Sequence, residues 1–111
     1  MNGKISNYLL SMGFIPNKIG YKYLVDLIGM GIRGVDILPL SKNGYIVLAK
    51  KYDKSASTIE KDIQNAVSAA WLKGDIDTLN NEFGSTIDMK KGKPSNKHFI
   101  LTAIEKIIYN G

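Results

Sequence analysis

Five polar side chains after Ser55 could hydrogen-bond to the edges of DNA bases, provided that this stretch is helical and their shared face is exposed. This polar face comprises Ser57, Thr58, Glu60, Lys61 and Gln64. Hydroxyl, carboxylate, ammonium and amide groups offer the donors and acceptors that complement base edges in the major groove. The same residue types are typical of an ordinary solvated helix surface, so the pattern alone leaves both interpretations open.

The charge of the chain favours a polyanionic partner. Fifteen lysines and arginines against ten acidic residues give a net charge of +5 in 111 residues, which favours nucleic acid without identifying it. Fourteen of the fifteen cations are lysines, which hold phosphate as point charges, whereas the arginine fork suits base reading. Lys50, Lys51 and Lys54 lie just before the polar face. Of these, we expect Lys50 and Lys54 to contact the DNA backbone, although a lysine-rich helix is also typical of an ordinary solvated surface.

Few residues in this chain could support enzymatic catalysis or metal binding. The chain has no cysteine and a single histidine, His98, so thiolate zinc sites and a cysteine nucleophile are excluded. Asp75 with Asp77, and Glu60 with Asp62, stand two residues apart, which on a helix places them on different faces. We expect no enzymatic activity, no metal and no cofactor.

Length and hydropathy favour one soluble domain over residues 1–111. No apolar run approaches the ~20 residues that a membrane span needs, and the first fourteen residues lack the apolar core of a signal peptide. A chain of this length can bury a single core. We therefore expect a cytoplasmic protein with no membrane partner.

Helical periodicity dominates the chain. Apolar residues recur at spacings of three and four, which predicts an all-α fold without a sheet. The predicted helices cover about residues 4–12, 17–33, 44–53, 57–73 and 75–83, and a last helix follows Ser95 as its N-cap. Gly13 marks the end of the first helix. Trp71 continues an apolar stripe, so we expect it in the core rather than on a stacking surface for single-stranded nucleic acid.

Residues 44–72 form a predicted bihelical unit, two helices joined by a short turn. Ala49 supplies the small buried residue that such a unit needs where its helices pack closest, and Ile59 and Ile63 return to the same core. At the turn this chain has Asp53, a residue type that tolerates the left-handed conformation at modest cost. These features are typical of a helix-turn-helix.

Several separated motifs resemble the C-terminal effector domain of the stage-zero sporulation protein A family. They are Gly20-Tyr-Lys-Tyr-Leu24, Leu48-Ala-Lys-Lys-Tyr52, Ser57, Glu60, Ala66, Ala70-Trp71, Gly74-Asp-Ile-Asp77, Phe83-Gly84, Thr86, Met89, Lys91, Lys93-Pro-Ser-Asn96 and Phe99-Ile100. Their order and spacing match over about the whole chain, which makes the resemblance specific.

The resemblance implies a six-helix effector domain of a two-component response regulator, acting on promoter DNA at the onset of sporulation. It implies RNA polymerase as a further partner and leaves open a homodimer on DNA, and the receiver domain of the family is absent from these 111 residues. A recognition helix over about residues 57–73 would read bases with the polar face. The residues expected at the DNA backbone are Lys50, Lys54, Ser55, Lys91, Lys93, Ser95 and Asn96.

This chain departs from the family along the expected recognition helix. The family tends to have arginine where Thr58, Lys61 and Gln64 stand here, so a bidentate guanine contact is lost or becomes monodentate. The alternative function is a helical protein-interaction module that uses the same helices without DNA. Salt separates the two, because DNA binding weakens steeply with salt and an apolar interface hardly responds.

Overall fold

The computed structural model describes residues 2–73 and 93–110, and every regular element within these ranges is an α-helix. The helices are α1 (Asn2–Ser11), α2 (Ile19–Ile32), α3 (Gly44–Tyr52), α4 (Ala56–Lys73) and α5 (Asn96–Asn110). The all-α prediction is thus confirmed for the described residues. The predicted helix at about 75–83 lies outside them, as does most of the predicted loop at 85–94, so six helices remain a prediction.

Helix ends agree with the sequence signals to within two or three residues. α2 begins at Ile19 rather than near residue 17, because Pro16 and Asn17 form a turn before it. α1 ends at Ser11, and Gly13 lies just past its end as predicted, with a φ of +93°. The Phe14 N–H then donates to the Leu9 carbonyl at 3.0 Å, the bond that closes a glycine-capped helix end.

The core lies where the five described helices meet. Its largest fully buried side chains are Tyr23, Phe99, Ile5, Leu9, Leu24, Leu27, Ile28, Leu48, Ile59 and Ile63. The Phe99 ring is 4.9 Å from that of Phe14 and meets the Trp71 ring edge-on at 5.9 Å, between ring centroids. Trp71 therefore packs on the core, as predicted.

Gly20 allows α2 to lie against the backbone of α4. A Cβ at this position would collide with the Asp62 carbonyl oxygen and would stand 2.8 Å from the Ala66 Cβ. Only a residue without a side chain permits this approach. Gly20 therefore helps to set the position of α4 on the rest of the fold. None of the helices in the described residues is long and apolar enough to cross a membrane.

Candidate nucleic-acid interface

The turn between α3 and α4 consists of residues 53–55. Asp53 adopts the left-handed conformation, with φ 54° and ψ 51°, and the Lys54 N–H donates to the Ala49 carbonyl at 3.0 Å. Asp53 thus occupies the position that glycine takes in many helix ends, as the sequence predicted. Ala49 is half-buried rather than buried. The short turn therefore brings the end of α3 close to the start of α4.

Ser55 caps the N-terminus of α4. Its Oγ accepts the Thr58 N–H at 3.1 Å, and its carbonyl accepts the Ile59 N–H at 3.1 Å. The Ser55 hydroxyl donates to the Thr58 Oγ1 at 2.8 Å and lies 3.2 Å from the Ser57 Oγ. No acidic residue occupies the first turn of α4. The positive end of the helix dipole is therefore open to an anion.

The polar face of α4 lies away from the core. Ile59, Ile63, Ala66, Val67 and Ala70 are buried. All five residues of the polar face are exposed. Sequence reasoning therefore placed these residues on the solvent side of one helix, as the structure does.

The two acidic residues of α4, Asp62 and Glu60, lie on different sides of the helix. Asp62 is half-buried beside α2, where its negative charge adds to burial in raising the pKa of the Tyr23 phenol. Glu60 is exposed, and its charge adds to burial in raising the pKa of Tyr45, against a lowering by the Asn96 hydrogen bond. The side of α4 directly opposite the core, at Ser57, Lys61 and Gln64, therefore carries only neutral or cationic groups.

The lysines around the turn have different surroundings. Lys50 and Lys54 are exposed. Lys51 pairs with Asp26 at 3.1 Å, and the Tyr52 hydroxyl donates to the same carboxylate at 2.5 Å. The pKa of Tyr52 is raised to about 12, mainly by burial and further by the hydrogen bond and charge of Asp26. Lys51 therefore helps to hold α3 on α2, whereas Lys50 and Lys54 point to solvent.

The segment that enters α5 lies against α4. Ser95 caps α5 as predicted, because its Oγ accepts the His98 N–H at 3.2 Å and its carbonyl accepts the Phe99 N–H at 2.9 Å. The Lys93 ammonium donates to the Ser68 hydroxyl on α4. The Asn96 amide nitrogen donates to the Tyr45 hydroxyl at 3.2 Å and to the Glu60 carbonyl at 3.1 Å.

The residues expected at the DNA backbone thus divide into three groups. Lys50 and Lys54 are exposed, and Lys91 lies outside the described residues. Lys93, Ser55, Ser95 and Asn96 make hydrogen bonds within the protein. Contact of any of these residues with DNA remains a prediction.

The sequence did not indicate which residues would form hydrogen bonds with this surface from within the protein. These residues are Tyr45, Ser68, Asp26 and Tyr52. Tyr45 is 51 positions from Asn96, and Ser68 is 25 from Lys93. Spacings of this size leave no periodic signal in a single sequence. The described residues hold no group of three or more histidines or acids that could bind a metal ion.

The chain also matches the model of a known protein family. The model of the family described as sporulation initiation factor Spo0A C terminal matches residues 5–107. The match covers nearly the whole chain and includes the turn, the polar face and the segment that enters α5. The resemblance noted in the sequence is thereby confirmed.

Proposed function

Because this chain belongs to the Spo0A C-terminal family of sporulation initiation factors, whose members are DNA-binding effector domains, we propose that it is a sequence-specific transcription regulator and not an enzyme. In this proposal α3 and α4 form a helix-turn-helix, and α4 enters the major groove with its polar face toward the bases. The single observation that carries the proposal is the distribution of charge along this face.

Two lysines lie beside α4, one near Ser55 at its start and one at Ser68 further along the helix. Lys54 precedes its N-terminus, and Lys93 is held by Ser68 thirteen residues beyond Ser55. At 1.5 Å per residue this separation is roughly 20 Å, which exceeds the ~12 Å width of the major groove. Lys54 and Lys93 can therefore reach phosphates on the two strands that border the groove, while Lys61 lies between them.

The polar face then reads bases through hydrogen bonds from its side chains. The Thr58 oxygen accepts the Ser55 hydroxyl, so its own O–H can donate to a base or a phosphate. Lys61 donates to a guanine edge, Gln64 pairs with an adenine edge, and Glu60 accepts from the amino group of cytosine. Arg33, the only arginine of the chain, lies at the C-terminus of α2. We therefore propose that lysine contacts to phosphate supply most of the affinity.

The test starts from a DNA duplex that the protein itself selects from a random-sequence pool. Fluorescence anisotropy then compares this selected duplex with a scrambled duplex of the same composition over a range of salt concentrations. We expect Lys61→Ala and Gln64→Ala to reduce the preference for the selected duplex. Lys54→Ala should weaken binding to both duplexes and reduce the salt slope by about 0.9.

The matched control is Lys42→Ala, because Lys42 is an exposed lysine in the connection between α2 and α3. It should leave the preference for the selected duplex unchanged. The proposal is wrong if selection enriches no sequence, or if the wild-type protein binds the enriched and scrambled duplexes equally.

RNA polymerase and a second copy of the chain are further proposed partners. The last turn of α5 offers the apolar surface for a second copy, because Ile108 and Tyr109 are 54% and 80% exposed whereas Phe99 is fully buried. Sedimentation velocity on a duplex with two selected sites tests this contact, and Tyr109→Ala should lower the fraction of doubly bound duplex.

A further inference from the structure

Asn96, the first residue of α5, contacts both helices of the bihelical unit through one amide group. Its nitrogen lies 3.2 Å from the Tyr45 hydroxyl oxygen on α3 and 3.1 Å from the Glu60 carbonyl oxygen on α4. A primary amide has two N–H donors, so each contact can use its own hydrogen. Asn96 is half-buried, and Tyr45 is 4% exposed.

The chemistry of the partners dictates the orientation of this amide. The Glu60 carbonyl can only accept, so the nitrogen of Asn96 must face it, and the Tyr45 hydroxyl oxygen then receives the second hydrogen. The opposite orientation would place two carbonyl oxygens against each other. An alanine at position 96 would provide neither bond.

Lys93 attaches the same segment to α4 at a second point. Its ammonium donates to the Ser68 hydroxyl, eight residues beyond Glu60 and therefore roughly 12 Å further along the helix axis. Two attachment points at this separation resist tilting of α4, which one point cannot do. We define residues 93–96, with these two attachments, as the α5 clasp.

We infer that the α5 clasp sets the position of α4 relative to α3, and that Asn96 is a positioning residue for DNA recognition rather than a phosphate contact. This inference rests on the proposed function. In a helix-turn-helix the first helix lies across the DNA backbone while the second reads bases, so their relative angle decides whether both sets of contacts form together. Loss of the clasp should weaken binding to the selected duplex and leave binding to the scrambled duplex nearly unchanged.

The experiment measures the affinities of Asn96→Ala and Tyr45→Phe for the selected and scrambled duplexes at 10 °C, well below unfolding. For Asn96→Ala we expect about a tenfold loss on the selected duplex, the size expected when two neutral hydrogen bonds are removed, and less than about a twofold change on the scrambled duplex. Lys97→Ala is the control, because Lys97 is the next residue of α5 and is exposed.

Tyr45→Phe removes the hydroxyl and keeps the buried ring, so it tests the inference even if Asn96→Ala fails to fold. We expect a smaller loss of affinity for the selected duplex than with Asn96→Ala. In the double variant the two losses should be less than additive, because both changes remove the bond between Asn96 and Tyr45. Equal losses on the two duplexes would assign Asn96 to phosphate contact and overturn the inference, as would unchanged affinity in both single variants.

A second readout does not involve DNA. Backbone amide NMR shifts of Asn96→Ala should change along α4 beyond Glu60, whereas changes limited to the first turn of α5 would contradict a role in positioning α4. If the wild-type protein shows no preference for the selected duplex, the proposed function fails, and these shifts still decide whether the clasp positions the helix.

Discussion

Substitution of Gly20 by alanine tests the contact that places α4 on α2. The added Cβ would stand 2.8 Å from the Ala66 Cβ and 2.9 Å from the Asp62 carbonyl carbon, against about 3.5–4.0 Å for carbon atoms at optimal separation. These neighbours are backbone atoms and a Cβ, which no rotamer change can move. The two helices must therefore separate by roughly 1 Å.

The expected cost follows from two opposing effects. Overpacking a well-packed contact costs about 1–3 kcal/mol, and we take the upper end because the colliding atoms belong to rigid helices. Replacing glycine by alanine in a helix contributes up to about 1 kcal/mol in the other direction. The net loss of unfolding free energy is therefore about 2 kcal/mol, which lowers Tm by roughly 8 °C in a domain of this size.

Urea and thermal denaturation followed by far-UV circular dichroism measure this difference. Gly3→Ala is the matched control, because Gly3 and Gly20 are each the second residue of a helix, and a Cβ at Gly3 would meet no atom within 4 Å. It should leave stability unchanged or raise it by up to about 1 kcal/mol. If Gly20→Ala is as stable as Gly3→Ala, the close approach of α2 and α4 is not as described.

Two further predictions concern Tyr52 and Ser55. An unfolded tyrosine ionises near pH 10.0, whereas the pKa of Tyr52 is raised to about 12 in the folded protein. The stability that the neutral Tyr52 phenol contributes is therefore complete below pH 10 and is lost as the pH rises through 12. Tyr52→Phe should therefore lose less stability than the wild type between pH 9 and pH 11.5 in urea denaturation, and equal losses would contradict this. Ser55→Ala should cost about 0.5–2 kcal/mol because the Thr58 N–H loses its cap. Ser57→Ala, which removes no capping bond, should cost less in the same thermal denaturation, and equal Tm values would contradict the assignment of Ser55 as the cap.

Local features of the chain were predictable from its sequence. The apolar stripe of α4, the helix end at Gly13, the left-handed Asp53 and the N-cap Ser95 each depend on residues within about four positions of one another. Helical periodicity and capping act over this range, so a single sequence carries their signal. The exposure of the polar face follows directly from the burial of Ile59 and Ile63 on the other side of the same helix.

Contacts between helices were not predictable in this way. The family resemblance implied that Asn96 contacts the DNA backbone, yet in the structure its amide bonds Tyr45 and Glu60. Which polar groups meet depends on the angles and distances at which helices pack, and many arrangements satisfy the same apolar stripes. The sequence alone determined the helices, their ends and the face that α4 turns to solvent. Only the tertiary structure decided what holds that helix in place, because hydrogen bonds between distant residues form only after packing has brought their helices together.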